Sequence, residues 1–141
     1  DELISFLIDT VSKNGNILIN VGPDSFGNIP SMQQKPLKEL GAWLKVNGNA
    51  IYATRPWERF GYDLPSGGRV RFTQDDNNLY AIIVGDHSRE IVLEDLGFEP
   101  KIVKLLGQGN VPSSQKDKNW VIQVGPYLEG DSAKILQISK I

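Results

Sequence analysis

One short strand near the start of the chain limits the folds available to it. "NILINV", residues 16–21, alternates: Ile17, Ile19 and Val21 share one face, and Asn16, Leu18 and Asn20 share the other. A helical pattern precedes it. In "DELISFLIDTVSK", Leu3, Ile4, Leu7, Ile8 and Val11 recur at helical spacing, Asp1 and Glu2 suit the positive end, Lys13 suits the negative end, and "NG" stops the run. "GP" breaks the strand, and Ser31 with Gln34 predicts a capping box for a second helix over 32–46. Its inner stripe is Leu37, Leu40, Gly41 and Leu44, with Trp43 beside it and Gly48 as the stop. Pro36 lies past the first turn, lacks an N–H and is expected to kink the helix or shorten its start. A buried parallel strand needs neighbours on both edges, and this segment supplies none. The piece therefore reads as cut from a larger parallel sheet or barrel.

From about residue 66 the texture changes. "RVRFTQ", "LYAIIVG", "REIVLED", "KIVKLLG", "NWVIQVG" and "AKILQISKI" are short β-rich runs divided by turn-forming stretches, among them "GQGNVPSSQKDK". That pattern predicts an antiparallel β-sandwich. "LYAIIV" is apolar on both faces and is expected at its centre. The fold class is thus mostly β: an antiparallel sandwich preceded by a helix–strand–helix remnant of a barrel. Residues 1–50 form the remnant, 51–65 a connector and 66–141 the sandwich.

Composition removes several functions. The net charge of -2 argues against nucleic acid as a partner, because phosphate binding needs clustered Lys and Arg. With no cysteine there are no disulfides or thiolate metal sites. No stretch is long enough to span a membrane, and no signal peptide is visible. The chain opens at Asp1 inside a helical pattern, so an N-terminus further upstream is expected. No cofactor and no metal are called for.

The segment "LIDTVSKNGNILINVGPDSFGNIPSMQQKPLKELGAWLKVNGNAIYATRPW" resembles the end of the catalytic domain of the α-L-fucosidases, glycoside hydrolase family 29. The likeness rests on the Asn-Gly-Asn before an apolar strand ending in "NVGP", then "G-x-I-P", a "QQ" helix and "WLKVNG-x-AIY-x-TRPW". "VRFTQDDNNLYAIIVG", "VKLLGQG" and "AKILQISKI" are similar to the family's C-terminal sandwich. The resemblance implies a (β/α)8-like barrel followed by a sandwich, of which this chain would hold the last barrel unit and the whole sandwich. A full barrel takes roughly 200 residues or more. It also implies a retaining enzyme acting on α-L-fucosyl bonds of glycans. Such glycans lie mostly outside the cytoplasm, so a secreted, periplasmic or lysosomal parent is implied.

Retaining glycosidases need two carboxyl groups about 5 to 5.5 Å apart. The family's nucleophile and acid/base lie upstream of the matching segment, so no catalytic residue is assigned here and the chain alone is expected to be inactive. Asp75 and Asp76 are adjacent, but a hairpin tip predicts two solvated charges. The substrate-binding candidates are Asn20 and Asp24. Alternation should send Asn20 toward the barrel interior at the strand's C-terminal end, where barrel active sites form. It could hold a sugar hydroxyl or orient a carboxylate; the reading favoured is a lining amide that satisfies nearby backbone, since most buried amides are structural. Asp24 follows on the same rim and could touch substrate or simply form a turn.

His87, the only histidine, sits in "GDHS" and reads as a solvated turn residue. Of the tryptophans, Trp43 belongs to the helix, Trp57 is expected to seal the joint between the two parts, and Trp120 alternates with Ile122 and Val124 toward the core. Tyr62 and Tyr127 are expected in loops. Three roles remain open: part of a fucosidase, a carbohydrate-binding sandwich, or a brace for the barrel. The expected partners are fucosylated glycans through the parent enzyme, the barrel itself, and a second copy of the chain through the unpaired strand.

Overall fold

The computed structural model describes residues 2–141; Asp1, expected to open the first helix, lies outside them. Helix α1, Glu2–Ser12, buries Ile4, Leu7 and Ile8. Asn14 adopts φ 65°, and the Gly15 N–H closes on the Thr10 carbonyl at 2.8 Å, which ends the helix as "NG" predicts. Residues 15–30 then run without helix or strand. The strand expected at 16–21 is therefore not formed. Its alternation is real, but a strand exists only through ladder partners, and no described residue pairs with it.

Helix α2, Ser31–Asn47, starts differently from expectation. Pro30 is the N-cap and no side chain caps the helix, so the Ser31–Gln34 box is absent. Instead the Gln34 side-chain amide donates to the Ile29 carbonyl at 2.5 Å. Pro36 is carried inside the helix without shortening it; the ring sits on the exposed face, where one lost backbone bond is solvated. Leu40, Trp43 and Asn47 form the buried stripe, with Leu37, Gly41 and Leu44 only half-buried. A 3-10 turn, Gly48–Ala50, follows.

Among the described residues nine strands form two antiparallel sheets. The first has the order β1-β2-β3-β9-β5-β6 and the second β4-β8-β7. The strands are β1 Arg55–Asp63, β2 Arg69–Gln74, β3 Asn78–Val84, β4 Glu90–Leu93, β5 Val103–Leu105, β6 Gly109–Asn110, β7 Ser113–Lys116, β8 Asn119–Gln123 and β9 Lys134–Ser139. All six β-rich runs of the sequence become strands. Three more appear where none is expected: β1 within the stretch read as a connector, and β6 and β7 within the long turn.

β3 lies between β2 and β9 and is buried on both faces. Leu79, Ala81 and Ile83 meet Phe72, Ile91, Leu93, Ile122 and Leu136 in the core between the sheets. Tyr80 and Ile82 point the other way, onto Ile4, Leu7, Ile8, Leu40 and Trp43 of the helices. The architecture is three layers, with the six-stranded sheet in the middle. Trp57 does not seal the helix–sandwich joint; on β1 it stacks edge-on to Phe72, at 4.8 Å between centroids, in the core between the sheets.

Polar contacts tie the helix layer down. Arg71 on β2 is buried and donates through Nε to Asp9 of α1 at 2.8 Å, and Lys13 reaches the same carboxylate at 2.6 Å. The Thr73 hydroxyl donates to the Ala50 carbonyl at 2.6 Å. The bonds from Lys13 and Arg71 hold Asp9 below its ordinary carboxylate pKa, against the opposing push of burial. A depressed folded pKa means the stabilisation is complete above the unfolded value, near 3.8, and fades as pH falls through the lower folded value. Asp9→Asn is expected to cost about 1 kcal/mol at neutral pH, discounted for the partial exposure of Asp9. It should also flatten the acid limb of stability. Urea melts between pH 2 and pH 7 check this, and an unchanged acid limb would refute it.

Candidate functional site

The loop after α1 carries both predicted site residues. The backbone from Asn16 to Pro30 is pinned to α2 by two side chains, Gln34 at Ile29 and Gln33 at Gly22. Gln33 accepts the Gly22 N–H through Oε1 at 2.7 Å and donates to the Gly22 carbonyl through Nε2 at 3.3 Å, a two-point mimic of a strand partner. Sequence reasoning missed this role; the "QQ" pair was the only available signal.

Asn20 is exposed, and its Oδ1 accepts from the next backbone N–H, that of Val21, at 3.1 Å. Asp24 is also exposed. Its Oδ1 accepts from the N–H groups of Phe26 and Asn28, each at 2.9 Å, and its own N–H donates to the Asn28 carbonyl at 2.8 Å. Gly27, at φ 83°, lets the loop turn back. Asp24 thus acts as a turn former, with its second oxygen free of partners among the described residues. Leu18 and Phe26 stand on the same loop with 95% and 88% of their surface exposed. Asn20 and Asp24 thus lie exposed on one loop, and neither lines a cavity among the described residues.

The other candidates sort differently from expectation. Asp75 is sheltered rather than solvated. Burial, the largest single influence, pushes its pKa up, but bonds from Tyr80 Oη at 2.8 Å and from the Asn77 and Asn78 N–H groups outweigh it and hold it low. Asp76 remains exposed, so the two do not form a catalytic pair. His87 is not a solvated turn residue: it is 5% exposed, its ring edge-on to Tyr127 at 5.7 Å. Nδ1 lies 2.7 Å from the Ser88 carbonyl, which can only accept, so Nδ1 carries a proton. Short turn sequences give no clue that a neighbouring loop folds over them. Tyr62 lies on β1, not in a loop, and donates to the Val92 carbonyl at 2.7 Å across the two sheets. Burial pushes its hydroxyl up to about 12.

Trp43 is buried, its indole N–H donating to the Ala133 carbonyl at 3.3 Å. Trp120 packs against the core, as expected, but stays half-buried and lines a cleft of about 350 Å³ with Asp95, Phe98, Glu99, Gln115 and Lys118. Among the described residues no cluster of three or more His, Asp or Glu could hold a metal ion, and no helix is long and apolar enough to cross a membrane.

Two helices lie on an antiparallel β-sandwich, and the segment between them has strand composition without a ladder among the described residues. Comparison with known proteins shows what such a chain is similar to. The sequence model of the α-L-fucosidases matches residues 1–49. The α-L-fucosidase of Branchiostoma floridae is 42% identical over 84 residues, 60% of this chain and 18% of that protein. The human tissue α-L-fucosidase is 50% identical over 83 residues, 59% of this chain and 17% of that protein. In structure, the α-fucosidase of Thermotoga maritima superposes with a TM-score of 0.80 at 38% identity, covering 97% of this chain and 33% of that one. Together these matches support α-L-fucosidase family membership, with the chain similar to a C-terminal fragment of those enzymes. The chain spans under a fifth of the length of those curated relatives and about a third of the solved enzyme.

Proposed function

We propose that this chain is the C-terminal portion of a retaining α-L-fucosidase that hydrolyses α-L-fucosyl linkages of glycans, and that on its own it is inactive and structural. The observation that carries this reading is the near-complete superposition on the Thermotoga enzyme at 38% identity. Residues 1–50 would complete the barrel, and residues 66–141 would brace it. The sandwich would act through the helix layer: Ile8 and Trp43 pack on Tyr80 and Ile82, with the Asp9–Arg71 pair beside them. Asn20 and Asp24 would then lie on the rim of the active site, where an enclosing wall would come from the remainder of the barrel.

Four of the carboxylates here are occupied with other work. Asp9 pairs with Arg71, Asp24 and Asp75 hold turns, and Asp131 accepts the Leu128 N–H. No nitrophenyl fucoside turnover above the uncatalysed rate is expected from the pure chain, whereas the same residues joined to the full barrel should turn substrate over. Turnover by rigorously pure chain would overturn the reading of inactivity. Absence of fucoside hydrolysis by the joined enzyme would overturn the fucosidase reading itself. A second reading, that the sandwich binds carbohydrate, is favoured by one observation, the cleft beside Trp120.

A further inference from the structure

We propose that the cleft beside Trp120 is a carbohydrate subsite for a neutral pyranose unit, separate from the Asn20–Asp24 rim. It lies at one end of the sandwich, between the β7–β8 hairpin and the loop 94–99. Trp120 on β8 is flanked by Leu93 on β4 and Gln115 on β7, so the three side chains share a face. Leu93 is fully buried and anchors that face to the core, while Gln115 is exposed and stands beside the indole. Trp120 is at the boundary between the two. Its N–H donates to nothing among the described residues and is not one of the buried unpaired atoms, so water reaches it. The contrast with Trp43, whose N–H is used internally, separates a structural indole from an available one.

A second aromatic, Phe98, lines the same cleft. Phe98 is half-buried against the core and follows Gly97, whose φ of 72° turns the loop over the sheet end. Two devices hold that loop in place without any ligand. Asp95 Oδ1 accepts the Gly97 N–H at 3.3 Å. Arg59 donates to the carbonyls of Glu94 and Asp95 while its guanidinium stacks on Trp57 at 4.8 Å and Phe72 at 5.7 Å. A wall fixed in advance lowers the ordering cost of binding.

The chemistry of the lining selects the ligand. Pyranose rings have apolar C–H faces and a rim of hydroxyls; an indole edge and a phenyl ring suit the faces, and a few placed polar groups suit the rim. Here those groups are the Gln115 amide, the Lys118 ammonium and the carboxylates of Asp95 and Glu99. The side chains of Gln115, Lys118 and Glu99 make no hydrogen bond among the described residues, so their donors and acceptors are available to hydroxyls. Two carboxylates against one ammonium leave the cleft slightly acidic, which favours a neutral sugar over a sialylated or sulfated one. The volume, about 350 Å³, is within the about 300–1,000 Å³ of small-molecule sites and holds one sugar unit, not a chain.

The choice of glycan as ligand class rests on the proposed fucosidase reading. The test is a titration of the full chain with lactose, 2′-fucosyllactose and 3′-sialyllactose, followed by the Trp120 indole N–H and the amides of 95–99 and 115–120 in NMR spectra. Millimolar lactose and 2′-fucosyllactose should shift those signals, with Trp43 unmoved, and 3′-sialyllactose should bind at least about threefold more weakly. Gln115→Ala and Lys118→Ala, both on exposed positions that leave the fold intact, should each weaken binding about fivefold. Trp120→Phe tests the indole itself while keeping the core filled.

Still signals at the cleft with all three sugars, or binding unaffected by the Gln115 and Lys118 changes, would overturn the subsite. Tighter binding of 3′-sialyllactose would overturn the neutral-sugar assignment. Neither result depends on fucoside turnover. A silent cleft in an active joined enzyme refutes this subsite alone, and a responsive cleft in an enzyme without fucoside turnover refutes the fucosidase reading alone.

Discussion

Gly61→Ala is expected to destabilise the chain by about 2–6 kcal/mol, the combined range of backbone strain and overpacking. Gly61 sits at φ 151°, where the pairing of β1 with β2 slips between Pro56 and Gly61. A Cβ there would stand 2.0 Å from the Val70 carbonyl oxygen and 3.0 Å from the Arg71 Cα. Both are backbone atoms, so no side chain can rotate away. β2 cannot retreat either, because its other edge is paired along its length with β3 and its side chains Val70 and Phe72 are in the core. β1 would have to lift. Gly67→Ala is the control: φ is 101° but nothing lies within 4 Å, so only strain of about 1 kcal/mol remains.

Urea midpoints of the two variants separate these cases, and equal losses would refute the steric argument. A spectroscopic sign should accompany the loss. Tyr62, next to Gly61, is raised to about 12 chiefly by burial, with Glu94 adding to the rise and Arg59 opposing it. A folded pKa above the unfolded value contributes stability at neutral pH that is lost as pH rises through the folded one. With β1 lifted, the tyrosinate absorbance should appear nearer pH 10, the ordinary value.

Those two glycines also show where the sequence was readable. β3 was legible because burial on both faces leaves a continuous apolar run, β9 because Ile135, Leu136 and Ile138 form a short apolar cluster after a turn-forming stretch, and helix α1 because Ile4, Leu7 and Ile8 keep helical spacing. β1 was not legible: "RPWERFGYD" opens with a proline after its first residue, places a glycine at the slip and never reads as a clean alternation. β7, "SSQK", is exposed throughout and pairs only by position beside β8, so no apolar pattern could announce it. The tertiary facts were hidden for the same reason. That His87 is covered by Tyr127, or that Phe98 shares a cleft with Trp120, depends on loops meeting across 40 and 22 residues of chain. At Asn20 and Asp24 only the motif was readable; that each side chain bonds its own loop backbone depends on local geometry.

Residues 16–21 lead to the other large effect. The segment has strand composition, half-buried Ile17 and Val21, and Leu18 fully in solvent, yet no ladder among the described residues. Unpaired N–H and C=O groups beside exposed apolar side chains are a template for another chain. The isolated chain is therefore expected to self-associate through this edge. Leu18→Lys should weaken that association by about tenfold or more, because a charge on an edge strand is repelled when two copies align and is costly to bury.

The urea midpoint should hardly move, since Leu18 makes no contribution to the core at 95% exposure. Sedimentation velocity over a range of concentrations reads the first effect, and amide exchange at 16–21, slow in the associated form and fast in the variant, reads its location. A chain that stays monomeric at every concentration with slowly exchanging amides there would refute the idea, because the segment would then have found a partner within its own fold. Joined to the full barrel, the same amides should become protected without any association. That pairing of results would tie the free edge of the isolated chain to the strand position expected in the barrel.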